Sequence, residues 1–143
     1  MTDFKLVISD PKAKKAYQIE VKSPDADRFI GMKIGETVRG EMFNVPGFEF
    51  QITGGSDKQG FPMRKDVSGT RRMYAFIGSG PGIRNAKKGE RRRKNVRGNQ
   101  ISEDTAQVNL KITKHHGEKS LAAALGKEEK KEEAVKEKAP EAK

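Results

Sequence analysis

Apolar residues recur at every second position in four stretches of the chain. Phe4, Leu6 and Ile8 share one face of an extended segment, and Tyr17, Ile19 and Val21 share another, with Gln18, Glu20 and Lys22 opposite. The pattern returns at Phe48, Phe50 and Ile52, and again at Val108, Leu110 and Ile112. A period of two with polar residues between describes strands with one buried face. Segments 38–44 and 72–77 carry weaker versions of the same pattern. Pro46-Gly47 divides two of these runs and suits a tight hairpin turn, Pro presetting φ and Gly supplying φ > 0.

One short helix is predicted after the second strand. Ser23 can cap it, Pro24 suits its first position, Asp25 and Asp27 complement its positive end, and Gly31 can stop it. Short strands, Gly-rich turns and one short helix predict a mainly β fold, a small closed or partly open β-barrel of about six strands with short helices. Residues 1–117 form the expected barrel domain, and 118–143 a short helix and a Lys/Glu-rich tail, either partly disordered or an extended helix. Residues 120–125 read as one or two helical turns, whereas 126–143 hold six Lys, six Glu and almost nothing apolar. Such a segment buries too little surface to repay its ordering.

Composition narrows the function classes. Of 143 residues 33% are hydrophobic, so any core is small, and there is no Cys, which removes disulfides, thiol catalysis and cysteine-ligated zinc. No apolar run approaches the roughly 20 residues of a membrane span. Charges interrupt the N-terminal stretch Met1 to Asp10, so no signal peptide is expected and the reading is cytoplasmic. The formal net charge is +10. Because 126–143 balance to zero, all of it belongs to residues 1–125, and a polyanionic partner is implied.

The basic residues cluster. Arg84, Lys87, Lys88, Arg91, Arg92, Arg93, Lys94 and Arg97 are opposed within 84–97 only by Glu90, a local +7. Phosphates relieve such self-repulsion, and counterion release drives the association. Arginine adds bidentate phosphate contacts and stacking on bases. A second basic region holds Lys58, Arg64, Lys65, Arg71 and Arg72. Gly78-Ser79-Gly80-Pro81-Gly82 precedes the main cluster, but the Gly-Lys-Ser/Thr ending and βαβ setting of a nucleotide-binding loop are missing. It reads instead as a loop that delivers the cluster into an RNA groove. Phe61, beside Pro62 and Met63, reads as packing; Tyr74, flanked by basic residues, is the better candidate for base stacking.

Catalysis finds no foothold. His115 and His116 are adjacent and diverge on a strand, Asp25 and Asp27 lack the rest of a calcium loop, and no nucleophile motif is present. No enzyme, cofactor or metal is expected. Two rival readings are a barrel whose basic loop meets an acidic protein, and an RNA-processing enzyme with acids converging on the basic face.

Four stretches together resemble a known family. They are Ile34-Gly35-Glu36-Thr37-Val38 leading to Gly40, Pro46-Gly47-Phe48, the run Ile52 to Met63, and Gly89-Glu90-Arg91-Arg92-Arg93-Lys94-Asn95-Val96-Arg97-Gly98. In this order they resemble ribosomal protein six of the small subunit, of archaeal and eukaryotic type and distinct from the bacterial protein of that ordinal. The resemblance extends from Phe4 to about Gly117. It implies a small β-barrel with short helices and a structural role on the ribosome in the cytoplasm. The implied partners are small-subunit ribosomal RNA and neighbouring ribosomal proteins, with the chain a monomer in that assembly. Carried over by position, the family's basic segments fall on Lys58, Arg64, Lys65 and on Arg84 to Arg97. The long basic C-terminal helix and serine cluster of eukaryotic members have no counterpart, since Ser120 is the single serine after Gly117. An archaeal-type member is the better match.

Overall fold

The computed structural model describes residues 3–115 together with Leu121 and Leu125. Their architecture is mainly β. Seven strands occur among the described residues: β1 (Phe4–Asp10), β2 (Lys15–Val21), β3 (Thr37–Arg39), β4 (Phe48–Asp57), β5 (Arg72–Ile77), β6 (Arg92–Arg97) and β7 (Thr105–His115). Five make one sheet in the order β2-β1-β7-β4-β3, while β5 and β6 form a separate two-stranded ribbon whose Arg97 also bridges to Met63. β7 lies at the centre, parallel to β1 and antiparallel to β4. Because β2 and β3 are its two edges, the sheet is open and the expected barrel is not closed.

The alternation seen in the sequence becomes the core. Phe4, Leu6, Ile8, Phe50, Ile52, Val108 and Leu110 are each at most 1% exposed. Register places them together: Leu6 lies beside Val108, and Ile52 opposite Leu110. Fully burying one such side chain stabilises by about 1.5–3 kcal/mol. Phe29, Phe43 and Val45, from the connection between β2 and β4, complete the cluster, with the Phe43 ring 5.1 Å from that of Phe50. Leu121 is also buried there, and the Leu125 N–H donates to its carbonyl at 3.0 Å, the spacing of a helical turn. The remainder of the expected helix and tail lies outside the described residues.

Local geometry departs from expectation at two turns. The predicted helix is a single 3₁₀ turn, Ala26–Phe29. Ala26 and Phe29 are both buried, and a three-residue spacing matches the three-residue turn of a 3₁₀ helix. The Ser23 hydroxyl bonds the Asp27 carboxylate at 2.7 Å instead of capping backbone. The strand expected over 38–44 ends at Arg39, where Gly40–Phe43 turns as a second 3₁₀ segment. A Cβ at Gly40 would lie 2.1 Å from the Val45 carbonyl oxygen, so this close return of the chain needs glycine. The connection to β4 is therefore longer than a Pro46-Gly47 hairpin turn, although Gly47 does take φ +87°.

The basic segments 54–65 and 78–98, expected as loops, are strand in part. β4 runs through Gly54 and Gly55 to Asp57, with register shifts that absorb the extra residues, and 92–97 form β6.

Candidate nucleic-acid interface

β5 and β6 pair antiparallel over six residues, from Arg72 opposite Arg97 to Ile77 opposite Arg92. Alternation gives this ribbon two chemically different faces. One carries Met73, Ala75 and Ile77 with Arg92, Lys94 and Val96. The other carries Arg72, Tyr74 and Phe76 with Arg93, Asn95 and Arg97.

An isolated two-stranded ribbon is marginal in water, so something must hold it. On the first face Ile77 and Val96 are buried, and residues 80–83 fold back over them; a Cβ on Gly82 would sit 3.4 Å from each and 3.5 Å from Pro62. At the root of the second face the clamp is ionic. The Asp57 carboxylate, at the end of β4, accepts from Arg72 Nε at 2.5 Å and from Arg97 at 2.6 Å through the same oxygen. Asp57 and Arg97 are 2% and 3% exposed. The Arg97 guanidinium also donates to the Ser102 hydroxyl at 2.6 Å and to Asp104 at 3.1 Å. Burial alone would raise the Asp57 carboxyl. The hydrogen bonds from Arg72 and Arg97, with the Arg97 charge, outweigh it and hold the group below the ordinary carboxylate range. The Arg72 guanidinium lies 5.2 Å from the centre of the half-buried Phe61 ring.

The thirteen basic candidates sort by what they touch. Arg97 and Arg72 are taken up by Asp57, and Arg97, read from sequence as a surface contact, lies inside the fold. Arg64 donates to the carbonyls of Ser79 and Pro81 at 2.9 and 3.0 Å and pairs with Asp66 at 2.7 Å, so it ties down the Gly-rich loop. Arg92 is exposed but donates to Glu90 at 2.6 Å. That bond and the Lys87 backbone N–H hold the Glu90 carboxyl below its usual range, and the one acid of the segment is spent on shaping its turn. Lys58, Lys65, Arg71, Arg84, Lys87, Lys88, Arg91, Arg93 and Lys94 are exposed, and among the described residues none has an ion-pair partner.

Arg84, Arg92 and Lys94 line an open cleft of about 430 Å³ together with Pro62 and Ile83. Its lining combines cationic and apolar side chains. Among the described residues no group of His, Asp or Glu could hold a metal ion, and no helix is long and apolar enough to cross a membrane. His116 lies outside the described residues. Two features escaped the sequence: β6, whose cations mask its alternation, and Phe76, which shares a face with Tyr74 and is as exposed. Pairing 92–97 with 72–77 as a hairpin was the signal that could have exposed both.

The sequence also matches known proteins. The family profile described as Ribosomal protein S6e covers residues 4–126. The chain is 46% identical over 140 residues to the small ribosomal subunit protein eS6 of Methanocella arvoryzae, covering 98% of both chains. It is 44% identical over 128 residues to the protein of that name from Methanocaldococcus jannaschii, covering 90% of this chain and 95% of that one. For the Archaeoglobus fulgidus protein the identity is 46% over 114 residues, covering 79% and 88%. All three organisms are archaeal, in line with the expected type. With a core, a ribbon and a basic block spanned by one continuous match, the chain belongs to the Ribosomal protein S6e family, a family of ribosomal proteins and not of enzymes.

Proposed function

We propose that this chain is a structural constituent of the small ribosomal subunit in the cytoplasm, a monomer within it, and binds small-subunit ribosomal RNA. Its binding surface is the β5–β6 ribbon with the basic segments 54–65 and 78–98. The observation that carries this reading is the set of exposed cations, Lys58, Lys65, Arg71, Arg84, Lys87, Lys88, Arg91, Arg93 and Lys94, that have no ion-pair partner among the described residues, while Arg97, Arg72 and Arg64 are paired internally. Unpaired cations at this density repel one another, and RNA phosphates supply the missing counter-charge. The archaeal relatives named as small ribosomal subunit proteins support the choice of RNA.

The parts divide the work. Asp57 fixes the ribbon to the end of β4, and Arg64 fixes loop 78–82, so the cations are presented on a braced scaffold. Arg84, Arg92 and Lys94 can close around a phosphate at the cleft. Phosphate contacts set position, and specificity follows from the fit of the braced ribbon to a folded RNA surface. Neighbouring ribosomal proteins meet the remaining surface. Binding of the full chain to small-subunit ribosomal RNA, with large-subunit RNA as competitor at physiological salt, tests the assignment. At least tenfold preference is expected; equal affinity for both RNAs would overturn it.

A further inference from the structure

Tyr74 and Phe76 stand on one face of the ribbon and are 66% and 68% exposed. Of the other aromatic residues, Phe4, Phe29, Phe43, Phe48 and Phe50 are each at most 6% exposed, and Tyr17 and Phe61 are half-buried. Two large rings left side by side in water therefore need a reason. Arg93 shares their face, with its guanidinium 5.0 Å from the centre of the Tyr74 ring, and Asn95 lies directly opposite Tyr74. No Asp or Glu occurs from Val67 to Gly89, and Glu90 is held by Arg92.

We infer that this face is a stacking platform for unpaired bases of RNA, with Tyr74 and Phe76 as the rings. The inference rests on the ribosomal RNA reading above and says which part of the RNA the ribbon takes. Flat rings beside a guanidinium and a carboxamide fit nucleobases: the rings and Arg93 stack on base faces, and Asn95 can bond a base edge. The surrounding positive charge fits the phosphates that accompany the base. A protein occupant would have to bring both apolar side chains and acids to the same small patch. Paired RNA does not fit either, because its bases are stacked within the helix and its deep major groove excludes side chains. Bulged or looped nucleotides remain. The opposite ribbon face, with the Arg84–Arg92–Lys94 cleft, is left to phosphate.

Stacking and phosphate contact differ in salt dependence, and that difference makes the test. Affinity of the full chain for small-subunit ribosomal RNA is measured over a range of salt for wild type, Tyr74→Ala, Phe76→Ala, Tyr74→Phe and Phe76→Tyr. Each alanine variant is expected to lose about 5–150-fold in affinity with the slope of log K against log[salt] unchanged. The aromatic swaps are expected to bind as wild type does. Alanine variants that bind like wild type would overturn the stacking platform and leave the RNA reading standing, whereas a wild type that binds no ribosomal RNA would remove both. A Phe76→Trp variant adds a direct readout, since the chain has no other Trp. Quenching of its fluorescence by the RNA supports stacking. A change seen only with a neighbouring ribosomal protein would assign the face to protein and overturn the inference.

Discussion

Replacing Asp57 by alanine removes the buried counter-charge of the Arg97 guanidinium and leaves it, among the described residues, only the exposed carboxylate of Asp104. Breaking one side of a buried pair costs about 3–5 kcal/mol. The loss should depend on pH in a definite direction. The folded-state carboxyl of Asp57 lies below its ordinary value, so the pair contributes fully above about pH 5 and fades as pH falls through and below about 4. Urea unfolding of wild type and Asp57→Asn is therefore expected to show a wide stability gap at pH 7 that narrows at pH 3. An equal gap at both pH values would contradict the assignment. At this scale the sequence shows residue types but not their partners. Arg97 closes the run from Arg91 and is locally indistinguishable from Arg93, yet one is interior and the other is surface. What separates them is Asp57, forty positions away in the chain, and no local pattern carries that information.

The ribbon and the loop that backs it depend on braces from outside themselves. Arg64 bonds two carbonyls of the 78–82 loop, and hydrogen bonds donated by a charged group contribute about 1.5–3 kcal/mol each. In Arg64→Ala the amides of residues 79, 80 and 82–84 are expected to exchange with solvent at least tenfold faster, while those of β1 and β7 stay as protected as before. Uniformly unchanged protection would show that the loop is held by Gly82 packing on Ile77 and Val96 alone. Elements with alternating apolar residues, β1, β2, β4 and β7, could be read from sequence because burial on one face imposes the period. β6 could not, since Arg92, Arg93 and Lys94 are consecutive cations, and the alternation they hide is visible only against β5. The 3₁₀ turn at Ala26–Phe29 was signalled as a helix by its acids and Pro24, but too few residues pack behind it to extend it to an α-helix.

Over the described residues, a sheet builds the core, and most of the exposed candidate cations without ion-pair partners lie in the segments flanking the braced ribbon, with Arg93 and Lys94 on it. The formal charge of +10 and the clustering of Arg and Lys were plain in the sequence, as was the family resemblance that the profile match over residues 4–126 establishes. The openness of the sheet was not, because strand order depends on which edges find partners. The fold separates cations that it pairs internally from cations that stay exposed. That separation makes the central claim measurable in solution with four residues of the second kind: Arg84, Lys87, Arg91 and Lys94, all exposed and without ion-pair partners among the described residues.

Binding of the full chain to small-subunit ribosomal RNA, titrated with salt for wild type and for the variant with all four changed to glutamine, is the most direct test. Weaker binding with a log K against log[salt] slope shallower by roughly 3–4 units is expected if each residue contacts one phosphate. An unchanged slope and affinity would show that these four exposed cations do not meet RNA, and would contradict the account.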